Sequence, residues 1–273
     1  VPPLLYVCGL VAYDGTEFHG FQIQQGVPTI QGTLEAVLQR LTGTPVRVHG
    51  AGRTDTGVHA RGQVIAAQVP WRHSVADLQR AWNAHLPRSI AVRKVQQAPD
   101  GFHPRYSAVA RTYRYSVIEA ADPSPAAPRH SPLTDRFAWY VTGPLNLVAM
   151  QAAAAQLLGE QDFATFGQPP VGENTVRTVD VATWQVVESN LPPLGDDVGR
   201  TLIFTIRANA FLYQMVRNLV GALVAVGQGR WTVAQFEAAL RACLRSQAAP
   251  PAPPQGLVLE RVDFPAGLGL QWE

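Results

Sequence analysis

Leu4–Tyr13 is almost unbroken in apolar residues and predicts a buried strand, ended by the turn residues Asp14-Gly15-Thr16. From Thr29 the rhythm changes. Ile30, Leu34, Val37, Leu38 and Leu41 recur at helical spacing with polar residues between them, which predicts a helix capped by Thr29 and stopped by Gly43. Pro45–Gly50 and Gly62–Val69 read as strands on either side of a polar stretch, Ala51–Ala60. Ser74–Leu86 predicts a second helix, with Ser74-Val75-Ala76-Asp77 resembling a capping box and Pro87 beyond its end. Ser89–Gln97 follows as a strand through Ile90, Val92 and Val95. The resulting order, β-α-β-β-α-β, is the split βαβ or ferredoxin-like arrangement.

The second half is a longer variant of that pattern. Arg111–Glu119 alternates as a strand, Asp122–Pro132 is an exposed Pro/Ala/Ser loop, and Phe137–Val141 is a short strand. Leu145–Leu158 is an Ala-rich helix ended by Gly159. Val176–Glu188 and Arg200–Ala208 are strands on either side of the loop Asn190–Gly199. Phe211–Val226 is apolar enough for a core helix, and Val233–Leu244 is amphipathic. Ala248–Pro254 holds four prolines and cannot be helix, and Leu257–Phe264 closes as a strand. The expected fold is α+β: two ferredoxin-like halves, 1–108 and 109–273, sharing a mixed, mainly antiparallel sheet. Helices would cover one face and leave a cleft on the other.

At 273 residues and 47% hydrophobic, the chain can bury a sizeable core. No apolar run nears the roughly 20 residues that a bilayer requires, so no membrane association is expected. The opening Val-Pro-Pro has no basic region followed by a long apolar one, and two cysteines make no disulfide framework, so a reduced, cytoplasmic protein is expected. Net charge is only +2, but it is unevenly spread. Residues 1–108 carry ten Lys/Arg against six Asp/Glu, and residues 109–273 carry twelve against fourteen. Arg supplies 21 of the 22 basic residues; it suits phosphate contact and base stacking, although a GC-rich coding sequence would give the same bias.

Three stretches can carry chemistry. Ala51-Gly52-Arg53-Thr54-Asp55-Thr56-Gly57-Val58-His59-Ala60 sets Asp55 at a loop tip between hydroxyls and glycines, with Arg53 able to favour its ionised form or grip a phosphate. The same residues also suit an ordinary hairpin turn. Phe102-His103-Pro104-Arg105-Tyr106-Ser107-Ala108 leads into a strand where Arg111, Tyr113 and Tyr115 share one face, a cationic and aromatic row fit for stacking on nucleic acid or for half-burial at a core edge. In Ala208–Asn218, Arg217 stands among Met215, Val216, Leu219 and Val220, and there must find an anion or bear a desolvation cost. No C-x-x-C, H-E-x-x-H, P-loop or G-x-G-x-x-G pattern is present, and His49 and His59 make a poor metal pair, so no metal or cofactor is expected.

The first stretch resembles the GRTDxGVHA motif of the pseudouridine synthases of the TruA family, through Gly52, Arg53, Thr54, Asp55, Gly57, Val58 and His59. The second is similar to FHARFSAxxRxYxY, with Pro104 and Tyr106 as departures, and the third to ANAFxxxMVRxxVG. Weaker matches are Tyr13–Gln22 to YDGTxxxGWQ, Asn83–Pro87 to NxxLP and Gly256–Leu259 to GLYL. The resemblance runs nearly end to end, except in the loops 122–132 and 190–199. It implies a pseudouridine synthase fold with a central RNA-binding cleft, acting without cofactor on positions 38, 39 and 40 of the anticodon stem-loop of tRNA, as a homodimer. Asp55 would be the nucleophile, attacking ribose C1′ or base C6. Arg217 would keep it ionised, Tyr113 would stack on the base, and Phe211 and Met215 would wall the pocket. Arg53 would fill the vacated stack or hold a phosphate. The residues leave two rivals: an RNA-binding module without catalysis, and a hydrolase with Asp55 as general base.

Overall fold

The structure is a computed structural model that describes residues 2–120, 134–169, 172–187, 200–270 and 272. The loops expected at Asp122–Pro132 and Asn190–Gly199 lie outside the described residues. The described chain is α+β, with mixed, mainly antiparallel strand pairing and five α-helices. None of these helices is long and apolar enough to cross a membrane. It divides into two compact units, Val1–Arg111 with Val258–Glu273, and Thr112–Leu257.

The first unit runs β1 (Leu4–Tyr13), α1 (Ile30–Thr42), β2 (Val48–Gly50), β3 (His59–Pro70), α2 (Val75–His85) and β4 (Ile90–Gln97). The capping signals act as the sequence predicts. Thr29 accepts from the Gly32 N–H, Gly43 ends α1 at φ +73°, and Ser74 and Asp77 form the reciprocal box at the start of α2. β1 lies antiparallel between β4 and β3, with Leu10 opposite Val64 and Val7 opposite Gln97. The apolar sides of the two helices close over the core through Leu34, Leu38, Leu78 and Trp82, all essentially buried.

The other edge of β3 is shared by two short partners. β2 pairs antiparallel with Ile65–Ala67, and the strand at the far end of the sequence pairs parallel with His59 and Ala60. The Ala51–Val58 loop connects β2 to β3 along this edge. A cut at 108/109 would leave the closing strand in the second half. It belongs instead with the first unit, where it pairs parallel with His59 and Ala60.

The second unit contains β5 (Ala110–Glu119), β6 (Trp139–Val141), α3 (Leu147–Ala155), β7 (Gly159–Asp162), β8 (Val176–Val187), β9 (Thr201–Ala208), α4 (Met215–Gly227) and α5 (Val233–Ala242). β10 (Leu257–Asp263) is the strand that returns to β3. Strand order is β5-β9-β8-β7, with β6 parallel on β5. Its core holds Phe163, Phe166, Phe204 and Phe236, none of them exposed.

Three features differ from the sequence reading. β7, Gly-Glu-Gln-Asp, has no apolar alternation to announce it. Gly159 opens that strand rather than stopping α3 directly, which ends at Ala155. And α4 begins at Met215, not Phe211. Asn209 Oδ1 takes the N–H groups of Thr178 (3.1 Å) and Ala210 (2.8 Å), Tyr213 N–H donates to Gln168 O (2.8 Å), and Gln214 sits at φ +57°. These local bonds outbid helix for residues 209–214.

Candidate active site

The Asp55 loop is braced from beneath by the segment that follows β1. Tyr13 Oη and Thr54 Oγ1 share a buried 2.8 Å hydrogen bond, and Gln63 Nε2 donates to Gly52 O (2.8 Å) and to Tyr13 Oη (3.4 Å). Burial pushes the Tyr13 hydroxyl up to about 12, so it stays a neutral hydrogen-bonding group. Phe21 N–H donates to Thr54 O (3.0 Å), and Gly57 N–H to Phe18 O (3.3 Å). The approach is so close that side chains are excluded. A Cβ on Gly15 would stand 2.0 Å from Val58 O, and one on Gly20 would stand 2.6 Å from Thr54 O. His59, buried at the loop's end, accepts the Gly15 N–H at Nδ1 (3.1 Å) and lies 3.2 Å from Asp14. Its role in this geometry is to hold the Asp14-Gly15 turn. The loop thus presents Asp55 half-buried and Arg53 exposed on a fixed backbone.

Arg111 ties the next motif to this loop. Its guanidinium donates to Ala51 O (3.2 Å), Arg105 O (2.9 Å) and Ala108 O (3.3 Å). It therefore acts as a brace between the root of the Asp55 loop and the 102–108 turn.

In the second unit, Tyr113 and Phe211 meet edge to face, ring centres 5.0 Å apart. Tyr113 is 9% exposed, whereas Tyr115 is wholly buried and donates its hydroxyl to Pro253 O (2.7 Å). The aromatic row expected on this strand face is therefore split: Tyr115 is a core residue, and burial raises its pKa far beyond any titration near neutrality. Met215 is also fully buried, within the core rather than on a surface.

Arg217 is the single residue of α4 that is not buried. Its Nε donates to Ala252 O (2.8 Å), and Ala252 N–H donates back to Arg217 O (2.9 Å). The proline-rich segment 248–254 is a strap laid along α4. Gly221 makes room for it, since a Cβ there would come 2.0 Å from Pro250 O. Sequence reasoning missed this strap and the Tyr13–Gln63 brace. The signal for the brace was the YDGT-like run, whose glycine is required by backbone approach. Among the described residues, no cluster of three or more His, Cys, Asp or Glu could hold a metal ion.

A sequence profile of the family described as tRNA pseudouridine synthase matches residues 10–107 and 153–265. The chain belongs to this family. Proteins called tRNA pseudouridine synthase A are similar to it over nearly their whole length. That of Rhodospirillum rubrum is 41% identical over 258 residues, covering 93% of this chain and 86% of the relative. That of Chloroflexus aurantiacus is 42% identical over 267 residues, covering 96% and 90%. That of Bradyrhizobium diazoefficiens is 40% identical over 259 residues, covering 93% and 97%. Among solved structures, the archaeal box H/ACA sRNP Nop10–Cbf5 complex aligns over 80% of this chain and 42% of its own, at TM-score 0.34 and 11% identity, which is too distant to carry an argument. As a member of the tRNA pseudouridine synthase family, the chain is an isomerase that converts uridine in tRNA to pseudouridine. Arg53, Asp55, Phe211, Met215 and Arg217 lie inside the matched segments, and Tyr113 lies between them.

Proposed function

We propose that this synthase acts on uridines 38, 39 and 40 of the anticodon stem-loop, with Asp55 as its nucleophile. The observation that carries this reading is the braced decapeptide Ala51–Ala60. A carboxylate is held half-buried at the tip of a loop whose backbone is fixed by Tyr13, Gln63 and the Gly15–Gly20 segment. Nucleophilic catalysis requires that rigidity, because it lowers the entropic cost of bringing the reacting atoms together.

The isomerisation breaks the N1–C1′ bond, turns the base and joins C5 to C1′. The proton leaves C5 and N1 gains one, so the reaction is redox-neutral. The target base must leave its stack first. Asp55 attacks C1′ or C6 and is released when the new glycosidic bond closes. Arg217, steadied by Ala252, favours ionised Asp55; Tyr113, set by Phe211, stacks on the base. Phe211 and Met215 wall the base pocket, Phe211 directly and Met215 from the core beneath. Arg53 holds a backbone phosphate or fills the vacated space. The protein works in the cytoplasm as a homodimer.

The test is release of label from tRNA carrying tritium at C5 of uridine, with the modified positions then mapped. Wild-type protein should release label from positions 38–40. Asp55→Asn should release none while tRNA affinity stays within a few-fold of wild type, because phosphate contacts dominate it. Label released from other positions alone would refute the site assignment, and turnover by Asp55→Asn would refute the nucleophile.

A further inference from the structure

The turn from Phe102 to Ser107 displays an aromatic ring that the reaction above does not use. Tyr106 is 76% exposed, yet its place is fixed. Its ring packs on His103 with centres 4.4 Å apart and 33° between planes, and His103 in turn meets His49 at 5.7 Å. His103 Nδ1 accepts the N–H groups of Arg105 (3.1 Å) and Tyr106 (3.4 Å). The Ser107 hydroxyl accepts His103 N–H (3.0 Å), and Ser107 N–H returns to His103 O (2.9 Å). Burial, with His49 and Arg105 nearby, holds the imidazole below the usual histidine range, which keeps Nδ1 an acceptor. The Arg105 guanidinium lies 5.6 Å from the Tyr106 ring centre. Beside the turn is a groove of about 540 Å³ whose lining includes Tyr6, Arg47, His49, Gln68 and His103. Arg111, through Arg105 O and Ala51 O, couples the turn to the root of the Asp55 loop.

An aromatic ring left in water forgoes the gain of burial. Here it is also immobilised on a second ring, with the Arg105 guanidinium beside it and Arg47 in the lining of the adjacent groove. That is the make-up of a base-stacking platform: a flat π-face held rigid, with a guanidinium at hand for the phosphate. The bound macromolecule of this family is a tRNA, and the turn is tethered to the loop that carries Asp55. We propose that Tyr106, backed by His103, stacks on a nucleobase of the tRNA other than the target uridine. Arg105 and Arg47 contact the phosphates of that nucleotide and its neighbour. The proposal rests on tRNA as substrate, and it is independent of whether Asp55 is the nucleophile.

Binding of unmodified tRNA by filter retention, across a range of salt and with Asp55→Asn present in every variant to prevent turnover, tests it. Tyr106→Ala should weaken binding about 5- to 100-fold, the range for loss of one stacked base. Tyr106→Phe and Tyr106→Trp should stay within about twofold, since stacking needs a ring and not a hydroxyl. The slope of log affinity against log salt should be unchanged in Tyr106→Ala and reduced by about one in Arg47→Gln. Thermal melting of each variant, expected to match its parent, separates loss of contact from loss of fold. Wild-type affinity of Tyr106→Ala, or an equal loss in Tyr106→Phe, would overturn the platform. Turnover persisting with Asp55→Asn would instead strike the nucleophile and leave this binding series readable.

Discussion

Tyr113 and Tyr115 stand two positions apart on β5 and point to the same side, yet only one is wholly sealed. Tyr115 is sealed by its bond to Pro253 O, while Tyr113 keeps a rim of exposure beside Phe211. If Tyr113 stacks on the base, Tyr113→Leu should cut kcat/KM by roughly 10- to 100-fold, from about 1–3 kcal/mol of lost stacking. Tyr113→Phe then separates two roles. Near-normal turnover would assign stacking alone, and stalled turnover with normal tRNA binding would add the hydroxyl to removal of the C5 proton. Normal turnover by the Leu variant would take Tyr113 away from the base. Strand alternation groups Arg111, Tyr113 and Tyr115 on one face. It could not separate them, since what buries Tyr115 arrives from a segment 138 positions later. Tyr13 and Gln63 were likewise hidden: each reads as an ordinary strand residue until β1 and β3 are paired and the loop is laid across them.

Among the elements, α4 and its strap show how a local preference is overridden. An exposed helix would be stabilised by about 1 kcal/mol if a glycine became alanine. At Gly221 the added methyl would meet the Pro250 carbonyl at 2.0 Å, and overpacking of that kind costs about 1–3 kcal/mol. Gly221→Ala should therefore lower the melting temperature and lift the strap, loosening the Arg217 Nε–Ala252 O bond and lowering kcat more than tRNA affinity. A higher melting temperature with unchanged kcat would mean that the strap does not bear on Arg217. Elsewhere periodicity and caps announced the elements well: α1 and α2 start at the cap residues Thr29 and Ser74, and the amphipathic run at Val233 opens α5. The misses came where side chains compete with helix or where a strand is polar throughout. Asn209 and the left-handed Gln214 delay α4, and β7 carries no apolar residue beyond its glycine.

For the whole molecule, the proposed homodimer makes a direct prediction. The positive excess of the sequence is confined to residues 1–108, so one chain offers a modest basic surface for a large polyanion. Phosphate contacts spread over two subunits should make tRNA binding fall steeply with salt. Light scattering at micromolar concentration should give twice the 29.6 kDa chain mass, with and without tRNA. A monomer of full activity would sink the two-subunit reading and leave the Asp55 chemistry standing. β10 adds a consequence of a different kind. A chain made from its N-terminus supplies β1 to β4 early, but the parallel partner of His59 and Ala60 comes only after all of Thr112–Leu257 has been made. At usual rates of synthesis that delay is on the order of ten seconds. The His59–Ala60 edge of β3, next to Asp55, waits for that partner through it, so the surroundings of the Asp55 loop, early in the gene, are among the last parts of the molecule to be completed.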